Sequence, residues 1–208
     1  DLVVGAYGYS SSKGRTYVYH GSATGIDATP TTTITGGSAS YYNGYDVAGA
    51  GDVNGDGYDD IITGMYGYGS SLGRAQVYHG GASGVDTTVD TNLDGTTAGY
   101  EFAFAVDGNV DVDNDGYSDV IVGEQKNTTN VGAAYLYRGS ASGVSSTADT
   151  TFAGTAGSRF GRAVAGVGDV NADGYGDVAV GGNTLTSSTG KVWVFHGYVD
   201  EDADGYYV

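Results

Sequence analysis

The chain has 208 residues, including 39 glycines, one proline (Pro30) and no cysteine, and its 25 acidic and 8 basic residues give a net charge of −17. Abundant glycine with almost no proline favours short strands joined by tight turns, and the absence of cysteine excludes a disulfide framework. The acidic excess argues against nucleic acid or an anionic membrane surface as a partner, because their phosphates would be repelled. No apolar run approaches the roughly 18 to 20 residues needed to span a bilayer, so we expect no membrane insertion.

The first predicted strand is Asp1-Leu-Val-Val-Gly5, a β-branched run closed by glycine. The same kind of run recurs three times, at Asp60–Gly64, Asp119–Gly123 and Asp177–Gly181. Apolar residues at successive positions indicate strands that are buried on both faces.

A second type of strand follows each of these runs and ends in an aromatic residue, a basic residue and glycine. Its four copies, at offsets of 59, 59 and 58 residues, are Gly14–Gly21, Gly73–Gly80, Gly132–Gly139 and Gly190–Gly197. The basic residues are His20, His79, Arg138 and His196. Because this position recurs in step with the repeat, we interpret the histidines as structural strand ends rather than as catalytic bases.

Two further strands complete the repeat. A strand of small residues comes first, at Gly44–Ala50, Phe102–Val106 and Phe160–Ala165. A polar, threonine-rich strand comes last, at Thr31–Thr35, Thr91–Gly95 and Thr150–Gly154. Because apolar content falls from the second strand to the fourth, the sequence predicts an all-β fold, a β-propeller built from four-stranded antiparallel blades with a repeat of about 59 residues.

The predicted repeats occupy residues 1–197 and are followed by an acidic tail at 198–208. Their bounds are 1–37 (partial), 38–96, 97–155 and 156–197 (partial). The first repeat begins at its second strand, and the last one stops after its third.

The same acidic loop precedes the buried strand in three repeats. Its copies are Asp52-Val-Asn54-Gly-Asp56-Gly-Tyr58-Asp-Asp60, Asp111-Val-Asp113-Asn-Asp115-Gly-Tyr117-Ser-Asp119 and Asp169-Val-Asn171-Ala-Asp173-Gly-Tyr175-Gly-Asp177. Oxygen-bearing side chains occupy loop positions 1, 3, 5 and 9, glycine occupies position 6, and position 7 offers a backbone carbonyl. These groups supply six or more oxygens if one carboxylate is bidentate, which suits Ca²⁺. Zinc and copper are disfavoured because no nitrogen or sulfur ligand is present.

Two other interpretations of the acidic loop compete with a calcium site. An EF-hand is excluded because Thr63, Val122 or Val180 stands at the twelfth position, where a glutamate is required. A turn whose side chains bond only their own backbone remains an alternative for any single loop. Three copies in phase favour the cation, since converging carboxylates repel one another unless a cation compensates them. We expect Ca²⁺ to stabilise the fold rather than to catalyse.

The sequence around the third loop resembles the FG-GAP repeat of integrin α-subunit propellers and related bacterial surface proteins. The motifs that carry the resemblance are Phe160-Gly161, Asp169–Asp177 and a hydrophobic strand ending in Gly181. The resemblance covers nearly the whole chain and implies calcium binding and an extracellular adhesion or interaction module. Phe-Gly is replaced by Asn43-Gly44 and Phe102-Ala103 in other repeats, and the proline of Gly-Ala-Pro is absent throughout. These departures weaken the expectation that the chain binds partners as integrins do, but they do not affect the expected blade.

A fourth, incomplete loop lies in the tail, 31 residues after the third, with candidate ligands at Asp200, Asp202, Asp204 and Tyr206. Its ninth position is Val208, whereas Asp1 opens a strand of the kind that follows each complete loop. We therefore expect Asp1 to complete the fourth loop, either within one chain, closing a propeller of about four blades, or between chains joined head to tail. A fragment cut from a longer array is the alternative, and a start at Asp1 rather than methionine indicates a processed or excised product.

Tyrosines and one glycosylation sequon are the remaining candidates for function. Tyr7 and Tyr9, matched by Tyr66 and Tyr68, lie in loops where exposed rings can stack on a sugar or a protein. Packing between blades is the interpretation that we favour for them. Asn127-Thr128-Thr129 is the one sequon in the sequence. No Gly-x-Ser-x-Gly elbow or phosphate-binding glycine motif occurs, so we expect no enzymatic activity.

Three functions follow from these observations. The repeat favours a non-enzymatic, calcium-binding extracellular adhesion or interaction module, whose partner is a protein or glycan on a cell surface or matrix. The complementary chain ends favour a structural subunit of a surface assembly or filament, joined head to tail. The tyrosine loops are the support for a third alternative, a carbohydrate-binding propeller. The absence of cysteine is compatible with secretion, and extracellular calcium is concentrated enough to fill weak oxygen sites.

Overall fold

The computed structural model describes residues 1–127, 130–185 and 189–198, which form antiparallel sheets that follow one another along the chain. The strands of the first sheet are β1 (Leu2–Gly5), β2 (Arg15–Tyr19) and β5 (Thr32–Thr35), with a small hairpin of β3 (Gly21–Ser22) and β4 (Gly25–Ile26) between the last two. The second sheet contains β6 (Val47–Gly51), β7 (Asp60–Met65), β8 (Arg74–Tyr78) and β9 (Thr91–Asp94).

The third sheet repeats the arrangement of the second, with β10 (Phe102–Val110), β11 (Asp119–Glu124), β12 (Ala133–Tyr137) and β13 (Thr150–Ala153). The fourth sheet contains β14 (Ala163–Gly168), β15 (Asp177–Leu185) and β16 (Thr189–Phe195). Strand pairing is antiparallel and in chain order, so the predicted four-stranded antiparallel blade is confirmed in the second and third sheets. These sheets are consistent with the blades of a propeller, and no closed ring is seen among the described residues. Within the described ranges, no helix combines the length and apolar character that crossing a membrane requires.

The hydrophobic core lies between sheets rather than within one. The cluster between the second and third sheets includes Ile62, Val77, Leu93, Phe102, Val120 and Val122. The cluster between the third and fourth sheets includes Ile121, Leu136, Phe152, Phe160, Val178 and Val180. A smaller cluster joins the first sheet to the second. Each sheet is therefore stabilised by its neighbours, because one sheet alone leaves an apolar face in water.

The strands β7 and β11 are buried on both faces, as the sequence predicts. On β7, Ile61 points to the first sheet and Ile62 points to the third. On β11, Ile121 and Val122 divide their contacts between the two flanking sheets in the same way. The prediction is wrong for β1, whose Leu2 and Val4 are exposed, because among the described residues no preceding sheet covers that face.

Adjacent sheets are also joined through their first strands, since β10 lies beside both β6 and β14. The Oδ2 atom of Asp46 accepts a hydrogen bond from the backbone N–H of Val106, at 2.9 Å. Asp107 accepts one from the N–H of Gly166, at 3.0 Å. Both bonds pass from one sheet to the next, so the side chains of these aspartates hold neighbouring blades together.

The glycine that closes the buried strand of the second and third sheets is required by the close approach of the next sheet. A Cβ atom at Gly123 would lie 2.0 Å from the carbonyl oxygen of Gly161, and one at Gly64 would lie 2.5 Å from that of Ala103. Gly181 occupies the same repeat position in the fourth sheet, but its nearest neighbour would be 3.4 Å away. Any side chain at Gly123 therefore forces two sheets apart, whereas alanine fits at Gly181.

We expect Gly123→Ala to lower the free energy of unfolding by about 1–3 kcal/mol, because the added methyl group overpacks a contact between two backbones. Gly181→Ala is the matched control and should unfold within about 0.5 kcal/mol of the wild type. Urea unfolding monitored by circular dichroism measures both variants. Equal losses in the two variants would show that the approach of the next sheet does not determine the need for glycine.

Candidate metal sites

The three complete acidic loops connect the first and second strands of the second, third and fourth sheets. Residues 52–60 join β6 to β7, residues 111–119 join β10 to β11, and residues 169–177 join β14 to β15. Because the blades repeat, all three loops lie at the same end of their sheets. We call them the first, second and third loops.

The aspartate at position 1 organises the turn by accepting backbone N–H groups. In the first loop, Asp52 accepts hydrogen bonds from the N–H groups of Gly55 (2.7 Å), Asp56 (3.1 Å) and Gly57 (2.8 Å). Asp111 and Asp169 accept from positions 5 and 6 of their own loops in the same way. The local turn expected of Asp, Asn and Gly is thus present, and it points backbone amides at the carboxylate.

Position 6 requires glycine for a conformational reason. Its φ angle is +90° at Gly57, +92° at Gly116 and +95° at Gly174, in the left-handed region that residues with a Cβ atom avoid. Position 4 is left-handed as well, although Asn114 and Ala172 occupy it in two loops. Two left-handed residues within three positions curl the loop tightly enough to bring the side chains of positions 1, 3 and 5 together.

The aspartate at position 9 joins the loop to the rest of its sheet. Asp60 accepts the N–H of Val53 at 2.9 Å and that of Gly80, after β8, at 2.7 Å. Asp119 and Asp177 make the same pair of bonds, to Val112 and Gly139 and to Val170 and Gly197. These side chains are buried, with Asp60 1% exposed and the other two fully covered.

The second loop brings three carboxylates into one cluster. One oxygen each of Asp111, Asp113 and Asp115 lies within 4.8 Å of the other two, a spacing that a single cation can bridge. The Oδ1 atom of Asp113 is buried and has no hydrogen-bond partner. Like charges at this separation repel, and a buried oxygen without a partner is costly, so the residues present fit a hard cation with oxygen ligands.

Burial raises the pKa of several carboxyl groups in these loops. It raises the pKa of the Asp119 carboxyl to about 7, and it raises the pKa of Asp60 and of Asp113 above the usual range. Backbone N–H donors oppose the shift at Asp60 and Asp119 but do not cancel it. A divalent cation has the opposite effect on the pKa of a carboxyl group that binds it, so protons would compete with any cation held by these loops.

The loops are connected to one another across the sheets, which the sequence did not reveal. The N–H of Ser118, at position 8 of the second loop, donates to the Asp52 carbonyl at 2.9 Å. Gly176, at position 8 of the third loop, donates to the Asp111 carbonyl at 2.7 Å. Val53 and Val112 at position 2 are 0% and 4% exposed beneath the following sheet, whereas Val170 is 57% exposed. Each loop is therefore part of the contact between two blades.

The fourth predicted loop, with Asp200, Asp202, Asp204 and Tyr206, lies outside the described residues, as do Thr128 and Thr129 of the sequon. The predicted partner of this loop, Asp1, is described. Its Oδ1 atom accepts the N–H of Gly21 at 2.8 Å, the same bond that Asp60 makes with Gly80. Asp1 thus stands in the place of a closing aspartate, while its completion of a fourth loop stays a prediction.

The basic residues that end the third strands have structural surroundings. The imidazole of His20 lies against Gly84 and that of His79 against Gly143, each in a turn of the following sheet. The Nδ1 atom of His196 lies 3.2 Å from the Oδ1 atom of Asp177. Arg138 replaces histidine in the third sheet, and its guanidinium contacts Asp113. These contacts agree with the interpretation as strand ends.

The predicted tyrosine loops contain rings that pack between sheets. Tyr66 lies 4.9 Å from Tyr42, 4.6 Å from Tyr45 and 5.5 Å from Phe104, measured between ring centroids. Tyr68 and Tyr9 each cover an arginine guanidinium, of Arg74 and Arg15 respectively. Most of these contacts are internal, although Tyr7 and Tyr9 remain 50% and 40% exposed. Packing between blades, the favoured interpretation, accounts for Tyr66.

Repeated antiparallel sheets with an acidic loop between their first two strands define a class of repeat protein, and comparison with known proteins identifies the family. Residues 43–79 match the FG-GAP repeat and residues 111–180 match the FG-GAP-like repeat, together about half of the chain. The chain belongs to the FG-GAP repeat proteins and is related to integrin α subunits, as the resemblance in the sequence predicts.

Similar proteins include integrin alpha-6 of Gallus gallus, 32% identical over 137 residues or 63% of this chain. Integrin alpha-8 of Gallus gallus is 30% identical over 166 residues or 76% of this chain, and integrin alpha pat-2 of Caenorhabditis elegans is 39% identical over 88 residues or 40%. The matched regions make up 12%, 15% and 7% of those integrins, so the chain corresponds to a small part of each.

We expect Asp60→Ala to lower the free energy of unfolding by about 2–4 kcal/mol even in the presence of a chelator, because two N–H groups lose their buried acceptor. Asp56→Ala is the matched control in the same loop. Asp56 is exposed, so its loss without a cation should stay below about 1 kcal/mol. Urea unfolding in excess chelator measures both variants, and similar losses would contradict the structural role of position 9.

Proposed function

We propose that the chain is a non-enzymatic, calcium-stabilised adhesion or interaction module that acts outside the cell. The observation that carries the calcium part is the cluster of Asp111, Asp113 and Asp115, with the buried and unpartnered Oδ1 atom of Asp113. The relationship to integrin α subunits supports the adhesion part and the extracellular location.

Each complete loop is proposed to hold one Ca²⁺ through four side chains and one carbonyl. The proposed ligands are Asp52, Asn54, Asp56, Asp60 and the Tyr58 carbonyl; Asp111, Asp113, Asp115, Asp119 and the Tyr117 carbonyl; and Asp169, Asn171, Asp173, Asp177 and the Tyr175 carbonyl. Asp119 and its equivalents already accept two N–H groups, so a cation would share these carboxylates with the backbone. The protein's contribution is a rigid turn with oxygens on its inner side.

Calcium in these loops would act on the contacts between blades. The carbonyl oxygens of Asp52 and Val53 accept hydrogen bonds from Ser118 and Ser140 of the next sheet. Removing the cation leaves clustered carboxylates that repel one another. This repulsion would distort the loop at its contact with the next blade. We therefore infer that calcium keeps neighbouring blades in register, which an adhesion surface assembled from several blades requires.

The two alternative functions have less support among the described residues. Head-to-tail assembly depends on Asp200, Asp202 and Asp204, which lie outside them. Carbohydrate binding rests on Tyr7 and Tyr9, which keep exposed ring surface, while Tyr66 packs against its neighbours. Interaction with a protein partner is therefore the function that we put forward.

Calcium is expected to raise the melting temperature of the chain, and exhaustive chelation to lower it, because the folded loops bind the cation and the unfolded chain does not. Differential scanning calorimetry with calcium, with magnesium and with chelator measures the effect. The gain should be smaller for magnesium, which is reluctant to give up its water ligands. A melting curve that is the same in all three conditions contradicts the calcium part of the proposal.

Adhesion is tested by immobilising the chain and measuring its binding to a panel of extracellular matrix proteins and to a glycan array, each with calcium and with chelator. We expect saturable binding to at least one protein that weakens on chelation and in Asp56→Ala. Binding to glycans alone would favour the carbohydrate-binding alternative. Failure to bind any member of either panel counts against an adhesion role.

A further inference from the structure

The third sheet differs from the second and fourth at two positions that come together in the structure, one in its acidic loop and one at the end of its third strand. Position 3 is Asp113 in the second loop but Asn54 and Asn171 in the first and third. The residue that ends the third strand is Arg138 in the same sheet but His79 and His196 in the others. The loop with an additional carboxylate is therefore the loop whose sheet supplies an arginine.

The two residues form an ion pair inside the loop. The Nη1 atom of Arg138 lies 3.1 Å from the Oδ2 atom of Asp113, whose side chain is 12% exposed. An ion pair with one partner mostly out of water is screened less than a surface pair, so the guanidinium directly offsets the negative charge of this carboxylate.

The other two loops have an asparagine at position 3, and its side-chain amide donates a hydrogen bond within the loop, so no arginine is needed there. The side-chain amide of Asn54 donates to the Oδ2 atom of Asp56 at 3.0 Å, and that of Asn171 donates to Asp173 at 2.6 Å. An asparagine at position 3 thus adds no charge and provides a donor to position 5. Asp113 adds a charge and has no N–H to offer.

The histidines that correspond to Arg138 face other carboxylates. The Nδ1 atom of His79 lies 3.5 Å from Asp90, and that of His196 lies 3.2 Å from Asp177 at position 9. Counting positions 1, 3, 5 and 9, the first and third loops carry three carboxylates, and the second carries four carboxylates with one guanidinium. The formal charge is therefore −3 in each case.

We propose that Arg138 is a built-in counter-charge of the second loop, which holds Asp113 in place without a cation and sets the affinity of the loop for Ca²⁺. The inference rests on the proposed function for its calcium part only. Without the arginine, the four carboxylates depend more strongly on a cation. The loop then binds Ca²⁺ more tightly but is less stable when empty.

The test is a double-mutant cycle with Arg138→His, Asp113→Asn and the double variant, since histidine and asparagine are the residues that the other repeats use. Thermal unfolding is measured in chelator and in calcium. In chelator we expect R138H to lower the melting temperature by at least about 3 °C, and Asp113→Asn to abolish most of that loss. In calcium the loss should be smaller, so that R138H gains more from the cation than the wild type does.

A packing role for the aliphatic stem of Arg138 predicts a different pattern. R138H would then lose the same amount in chelator, in calcium and in the Asp113→Asn background, and this result overturns the proposal. If R138H does not fold in chelator, the folding of the double variant in chelator distinguishes the counter-charge role from the packing role. Recovery of folding by Asp113→Asn supports the counter-charge, and continued failure to fold contradicts it.

Asn54→Asp in the first loop is the matched variant, because it adds the same carboxylate where no arginine faces it. We expect it to behave like R138H, with a lower melting temperature in chelator and a larger gain from calcium. A wild type that gains no stability from calcium contradicts the proposed function but not the pairing of Arg138 with Asp113. The cycle in chelator still measures the pair of Asp113 and Arg138 in that case.

Discussion

A buried aspartate carboxylate at the start of the second strand connects each acidic loop to its sheet. Asp60, Asp119 and Asp177 each accept one N–H from their loop and one from the glycine after the third strand. Because the carboxylate is out of water, each bond is needed to compensate its burial. The shape of the loop and the pairing of the strands therefore depend on the same side chain, and Asp1 makes the corresponding bond to Gly21.

The position of the loops at the joints between blades follows from the way the sheets pack. The core residues lie between sheets, so neighbouring blades approach until backbones touch, as Gly123 and Gly161 do. The same approach brings Ser118 to the carbonyl of Asp52 and Gly176 to that of Asp111. A cation that orders one loop consequently acts on the contact with the next sheet. In the proposed function, calcium therefore acts on the same contacts that hold neighbouring sheets together.

Much of the fold and of the candidate site follows from local patterns. Consecutive apolar residues in β7 and β11 correctly indicated burial on both faces, because Ile61 and Ile62 point to different sheets. The same reasoning failed for Leu2 and Val4, since the pattern of a strand does not state whether a neighbouring sheet is present. Glycine at loop position 6 was predictable from its turn. The left-handed backbone at Asn114 and Ala172 was not, because neither residue type demands it.

The sequence by itself determined the repeat, the order of the strands, the oxygen-bearing side chains of the loops and the family, since all of these are carried by residues close together along the chain. The tertiary structure alone decided that both oxygens of the closing aspartates bond to backbone and that successive loops touch. It also decided that Arg138 lies on Asp113, 25 residues earlier in the chain. Contacts of this kind depend on how the end of one strand meets the loop before another and on how one blade covers the next. These distances are set by the packing of the sheets and not by the spacing of residues in the sequence.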